Sequence, residues 1–247
     1  ANKNIFSELT EEWMSKQEFA ESTLRGQQSL LEVINQHIGL IPVHEIKPTD
    51  ILKVCQIYEK EEKLETAKKV KVKCGQILRY AVSIGLCERD VTQDLRGALK
   101  TPKVTHMAAL VEPKDFAQLL QDIDHYQGSA ITRYALRIAP LVFVRPGELR
   151  HAQWKDIDLE QGLWSYTPPK TKSKTGVQHI VPLSTQVIHL LSELAQITRY
   201  KSEYVFPATT SNLKPMSENT INQALRRLGY TSEQACGHGF RASARTI

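Results

Sequence analysis

Long apolar runs are what this sequence most lacks. No window of the 247 residues approaches the roughly eighteen consecutive apolar positions that a membrane span requires. The opening ANKNIFSELTEEW is acidic and broken, without the basic and apolar regions of a signal peptide. Cysteine is also scarce: Cys55, Cys74, Cys87 and Cys236 stand apart without metal-like or disulfide-like spacing, the pattern of reduced thiols in a reducing compartment. A cytoplasmic location is therefore expected, with no structural disulfide and no membrane association. There is no Walker loop and no carboxylate cluster that would gather magnesium, which argues against nucleotide-triphosphate and metal chemistry. Internal repeats and low-complexity segments are missing as well.

What is present is an ordinary globular composition, 41% hydrophobic and 24% charged, long enough for one large domain or two small ones. The net charge of +5 is weak evidence for a polyanionic partner, but its distribution is uneven. Residues 1–100 hold 15 Lys+Arg and 15 Asp+Glu, which leaves 32 − 15 = 17 basic against 27 − 15 = 12 acidic residues in 101–247. Within the neutral first part, an acidic run from Glu59 to Glu65 precedes Lys68, Lys69, Lys71 and Lys73. On its own that run reads as a solvated helix face.

Apolar periodicity near 3.6 in SLLEVINQHIGL and TAKKVKVKCGQILRYAVSIG predicts an all-helical unit over residues 1 to about 104. Thr23 is expected to precede one helix, Asp50 or Thr49 to cap another, and Gly85 to end a third. The stretch 98–113 loses this period and holds Pro102, Pro113, Lys100 and Lys103, so a linker is placed there and a second domain over 105–247. In that domain Pro113 begins a helix with Phe116, Leu119, Leu120 and Ile123 on one face, and ITRYALRIAPLVFV forms a second, more buried one. The short runs WKDIDL, LWSYTP and HIVPLS then read as a small antiparallel sheet with the lysines of KTKSKTG at a hairpin tip. Ser184 and Ser217 are expected to cap two further helices, the latter ending at Gly229, and a last helix begins near His238. The fold class is mainly α, of α+β type.

Two short motifs can carry chemistry. In VRPGELR, Arg145 precedes a proline and is pushed out of the helical region, so the buried helix must end there. Pro146 then starts a short helix with Arg145 at its N-terminal edge, where free N–H groups favour a phosphate. Taken alone, the simplest reading is an arginine that closes a turn and pairs with Glu148. In HGFR, His238 and Arg241 are three residues apart and share a helix face, within reach of one phosphate. Taken alone, they are a surface pair. Cys236 beside His238 has no second pair of ligands at zinc spacing.

In combination, RPGELR, a lysine-tipped hairpin leading into HIVPLS, and HGFRAS, in this order after a helical unit, resemble the tyrosine recombinase (phage integrase) family, and among it the prophage integrases. The resemblance implies that residues 1–104 are a core-binding domain and 105–247 a catalytic domain, with duplex DNA held between them in a C-shaped clamp. It implies Arg145 and Arg241 as phosphate clamps, Glu148 as the acidic residue that holds Arg145, His238 as their partner, and Lys174 as general acid for the departing 5′-hydroxyl. Lys170 and Lys172 lie close to Lys174 and join Lys68, Lys69, Lys71 and Lys73 as DNA-contacting candidates. The implied activity is site-specific cutting and rejoining through a 3′-phosphotyrosine, without metal or cofactor, by four subunits acting on two attachment or core sites. The sequence reaches Ile247 without a tyrosine after Arg241, and Tyr230 precedes His238. The nucleophile is thus expected beyond these residues, and the alternative is a DNA-binding fragment that does not cut.

Overall fold

The computed structural model describes residues 4–19, 21–103, 107–168 and 176–247. The chain divides into two compact units, 1–104 and 105–247.

Among its described residues the first unit has four helices, α1 (Phe6–Ser15), α2 (Glu21–Ile38), α3 (Pro48–Lys60) and α4 (Leu64–Ser83), with 3-10 turns at Val43–Glu45 and Val91–Leu95. Their apolar stripes meet in one core around Phe6, Ile34, Ile51, Val54, Val70, Cys74 and Ile77, each withdrawn from water. Burial of side chains of this size contributes about 1.5–3 kcal/mol apiece. Two of the expected helix starts shift. Thr23 lies inside α2, which begins two residues earlier, and α3 takes Lys47 as its N-cap, with Pro48 in the first turn. Asp50 still serves that end, because its carboxylate accepts the Lys47 backbone N–H at 3.0 Å. The end of α4 follows expectation: Gly85 sits at φ +76°, and the Leu86 N–H reaches back to the Ala81 carbonyl at 2.9 Å. That bond and the one from Gly85 to Val82 make a Schellman stop, which needs the left-handed residue that glycine supplies without strain.

In the second unit α5 (Pro113–Asp124), α6 (Ala130–Val142), α8 (Thr185–Thr198) and α9 (Thr220–Arg227) surround a core that includes Leu119, Ile123, Leu136, Ile138, Leu194, Phe206 and Leu225. The short α7 (Pro146–Arg150) follows α6, and α10 (Gly239–Thr246) closes the described chain. Strands β1 (Ile157–Asp158), β2 (Leu163–Tyr166) and β3 (His179–Pro182) form an antiparallel meander in which Trp164 faces both Ile157 and Val181, and Tyr166 faces His179. Alternation along β2 turns Trp164 and Tyr166 into the core. A second hairpin, β4 (Pro207–Ala208) with β5 (Ser211–Pro215), was not expected; its residues are too polar and too few to show a strand period. Ser184 caps α8 by accepting the Val187 N–H at 3.3 Å. Ser217 does not cap α9 directly: it accepts from the Asn219 N–H at 3.4 Å in the preceding turn, and Asn219 is the N-cap.

Candidate active site

The turn between α6 and α7 delivers the first arginine. Phe143 ends α6 in the left-handed region at φ 52°, an uncommon conformation for a bulky side chain, and Arg145 follows in extended geometry at φ −67°, ψ 148° before Pro146. Glu148, three residues on and buried, grips Arg145 twice. One carboxylate oxygen accepts the Arg145 backbone N–H at 2.8 Å and the other the Nη1 of its guanidinium at 2.9 Å. Burial pushes the Glu148 carboxyl up, and the Arg145 backbone N–H, its guanidinium and the Tyr166 hydroxyl outweigh that push and hold it below the usual carboxylate range. The carboxylate is therefore charged at neutral pH, and the exposed part of Arg145 is fixed from behind.

The second arginine comes from α10. Arg241 donates from Nη1 to the Phe143 carbonyl at 2.8 Å, two residues before Arg145, so the two guanidinium groups are brought to one turn. His238 is the N-cap of α10 and is exposed. The loop before it packs on α7, since a Cβ on Gly237 would lie 3.3 Å from Pro146 Cγ. Several residues that the motifs did not single out hold this loop. The Asn222 amide oxygen accepts the Gly237 N–H at 2.9 Å, and the Arg226 guanidinium donates to the carbonyls of Tyr230 and Ala235. Gly239 sits against the Ala108 carbonyl, where a Cβ would come within 2.2 Å of the oxygen. No sequence signal distinguishes Asn222 or Arg226 from other helix polar residues. Nothing in HGFR itself shows why the residue between His238 and Phe240 has to be glycine.

Tyr166, from β2, completes the described surroundings. Its ring stacks on Trp164 with centroids 4.7 Å apart and meets the His179 ring edge-on at 5.4 Å. Burial and the Glu148 carboxylate push its hydroxyl well above the ordinary range, against the pull of Arg145 and Arg241, so it keeps its proton. Tyr230 is held likewise: burial and Asp122 raise it, and its hydroxyl donates to the Asp122 carboxylate at 2.6 Å.

The structure thus gathers Arg145, Glu148 and Arg241 around one turn and sets His238 on the adjoining loop. Lys170, Lys172 and Lys174 lie outside the described residues. The earlier lysine run needs a correction. Lys68 and Lys69 are exposed and Lys71 half-buried, but Lys73 is only 7% exposed. Its ammonium lies 4.6 Å from the Trp13 ring centroid and 5.8 Å from that of Phe19, and donates to the Gln76 side-chain oxygen at 2.7 Å. Desolvation lowers its pKa. Lys73 is therefore much less open to a phosphate than Lys68 or Lys69. Lys63, Lys69 and the edge of Lys73 line a groove of about 650 Å³ between α2 and α4, along with Thr23, Gln27 and Thr66. Among the described residues no group of His, Cys, Asp and Glu is arranged to hold a metal ion, and no helix is long and apolar enough to cross a membrane.

Comparison with known families matches residues 6–98 to the phage integrase central domain and residues 110–247 to the phage integrase family model. The chain belongs to the phage integrase family. This family member is 35% identical over 252 residues to putative protein IntB of Escherichia coli K12, a match over 97% of the chain and 63% of that protein. It is also 35% identical over 254 residues to the integrase of Enterobacteria phage P4, over 97% of the chain and 57% of that protein. The chain therefore spans about three fifths of the length of these curated relatives. Among solved structures, a lambda integrase dimer bound to a COC′ core site matches with a TM-score of 0.74 at 18% identity, over 97% of this chain and 67% of that one. The Tn1549 transposon integrase in complex with a circular intermediate DNA matches with a TM-score of 0.78 at 15% identity, over 97% and 84% of the two chains. At these identities the likeness establishes a shared fold.

Proposed function

We propose that this chain binds duplex DNA and activates one phosphodiester for site-specific cutting and rejoining, as the central and catalytic part of a tyrosine-type recombinase that integrates or excises a mobile element. The observation that carries the reading is the meeting of the Arg145–Glu148 pair and Arg241 at the turn between α6 and α7, from positions 96 residues apart (241 − 145). Attack on a phosphodiester builds negative charge on its two non-bridging oxygens. Two guanidinium forks preset by Glu148 and the Phe143 carbonyl stabilise that charge without reorganising, an effect usually worth several kcal/mol. In this reading His238, at the start of α10, adds a further donor, and Lys174 supplies the proton that makes the 5′-oxygen a usable leaving group. No tyrosine follows Arg241 among these residues, and Tyr230, whose hydroxyl is bound to Asp122, precedes His238, so attack falls to a tyrosine outside these residues. The lambda integrase structures include a tetramer bound to a Holliday junction, and by analogy this chain works with other copies on two DNA sites. Its four free cysteines suit action in the cytoplasm, and no cofactor is called for.

The test separates binding from cutting. The 247-residue chain is expected to retain duplex DNA without forming a covalent adduct on a nicked trapping substrate. A longer chain that continues past Ile247 through its natural tyrosine is expected to form one, and Arg145→Ala or Arg241→Ala in that longer chain should abolish it. An adduct formed by the short chain overturns the assignment of the nucleophile. No adduct from the longer chain on candidate attachment sites would favour a module that binds without cutting.

A further inference from the structure

The Tyr166 hydroxyl is a buried polar group that faces the Glu148 carboxylate without completing a well-formed hydrogen bond to it. The residue is 9% exposed, its oxygen is closed to solvent, and it meets no hydrogen-bond partner in full geometry. Leaving such a donor unmade costs about 1–3 kcal/mol, so its retention calls for a reason. The charged groups that act on it are the Glu148 carboxylate, Arg145 and Arg241, which are the groups of the proposed phosphate clamp. Of these only Glu148 can accept. Its two oxygens each take one bond from Arg145, and a carboxylate has about four acceptor positions, so there is room for another donor. The ring cannot swing away, because it is stacked on Trp164 and bounded by the edge of His179.

We propose that Tyr166 is a positioning residue of the phosphate clamp, whose hydroxyl backs Glu148 and tightens onto it when a phosphate loads Arg145, and so fixes the guanidinium fork. This rests on the recombinase reading above. Catalytic-site hydrogen bonds commonly tighten only when ligand arrives, and here the third donor keeps Glu148 ionised while the phosphate competes for Arg145. The groups that titrate or carry charge around the hydroxyl are Glu148 and Arg145 from the α7 side, Arg241 from α10 and His179 from β3.

Tyr166→Phe in the full chain keeps the stacked ring and removes only the oxygen. Duplex DNA of mixed sequence serves as probe at pH 5 and pH 8, and carbon-13 carboxyl NMR follows Glu148. The expected result is a Glu148 midpoint shifted to higher pH and a loss of DNA affinity on the order of fivefold at pH 5, smaller at pH 8. In a Glu148→Gln background Tyr166→Phe should produce no further loss, which a general packing defect would not reproduce. An unmoved Glu148 midpoint, or an equal loss in both backgrounds, overturns the proposal. Arg145→Ala is measured alongside. If it weakens binding while Tyr166→Phe changes nothing, the positioning role fails and the recombinase reading stands; if it too changes nothing, both fall.

Discussion

At the scale of single residues, Glu148 illustrates how a local pair becomes a pH-dependent term in stability. Its folded pKa is depressed, so the stabilisation is present above the ordinary carboxylate value of about 4.3 and is lost as pH falls through the lower folded value. Glu148→Gln keeps the shape but gives up the charge that pairs with Arg145. Urea denaturation should find it about 1–3 kcal/mol less stable than the parent at pH 7, with the gap closing as pH falls through the lowered Glu148 value and the parent carboxyl takes up its proton. A gap that stays the same size across the acid range would mean that the ion pair is not its source. The Arg145–Glu148 pair was legible in the sequence because proline restricts its neighbour and a spacing of three closes one helical turn. Tyr166 was not legible, since nothing in LWSYTP indicates which charged groups lie opposite its hydroxyl.

At the scale of elements, the parts read correctly were those with local causes: Pro113 in the first turn of α5, Ser184 capping α8, and Gly85 ending α4. The starts of α2 and α9 moved because a hydroxyl near a helix start can serve the first turn or the turn before it, and the choice depends on how the incoming chain is held. The loop 230–237 shows the opposite case, in which three contacts from distant positions, Asn222, Arg226 and Ala108, set the entry to α10. Gly239 is the tightest of these fits, against backbone that cannot rotate out of the way. Gly239→Ala is therefore expected to cost about 1–3 kcal/mol and to displace His238 and Arg241 together. Thermal unfolding would read the first effect. The second would appear as weakened DNA binding at a temperature where the variant remains folded. A variant with parental stability would show that the 108–110 segment yields, and would remove this packing as the reason for glycine.

At the scale of the whole chain, the cationic character can be apportioned between residues that meet solvent and those that do not. Composition treats Lys68, Lys69, Lys71 and Lys73 alike, because burial depends on what the rest of the fold lays over a helix. Here Trp13 and Phe19, more than fifty positions away, enclose Lys73. Backbone contacts by exposed lysines release counterions, so duplex affinity should fall steeply with salt. Lys69→Glu with Lys71→Glu should weaken binding by on the order of tenfold across unrelated sequences and flatten the salt slope, the outcome expected of side chains that meet phosphates and not base edges. Lys73→Met should leave the slope unchanged. It should also leave stability within about 1 kcal/mol of the parent or raise it, because the buried ammonium has no carboxylate partner among the described residues and its desolvation works against the charged form. Fluorescence anisotropy at several salt concentrations would distinguish these outcomes. A Lys73→Met slope reduced as much as that of the Lys69 and Lys71 pair would return Lys73 to the DNA-contacting set and mean that α1 and the Phe19 segment open when DNA binds.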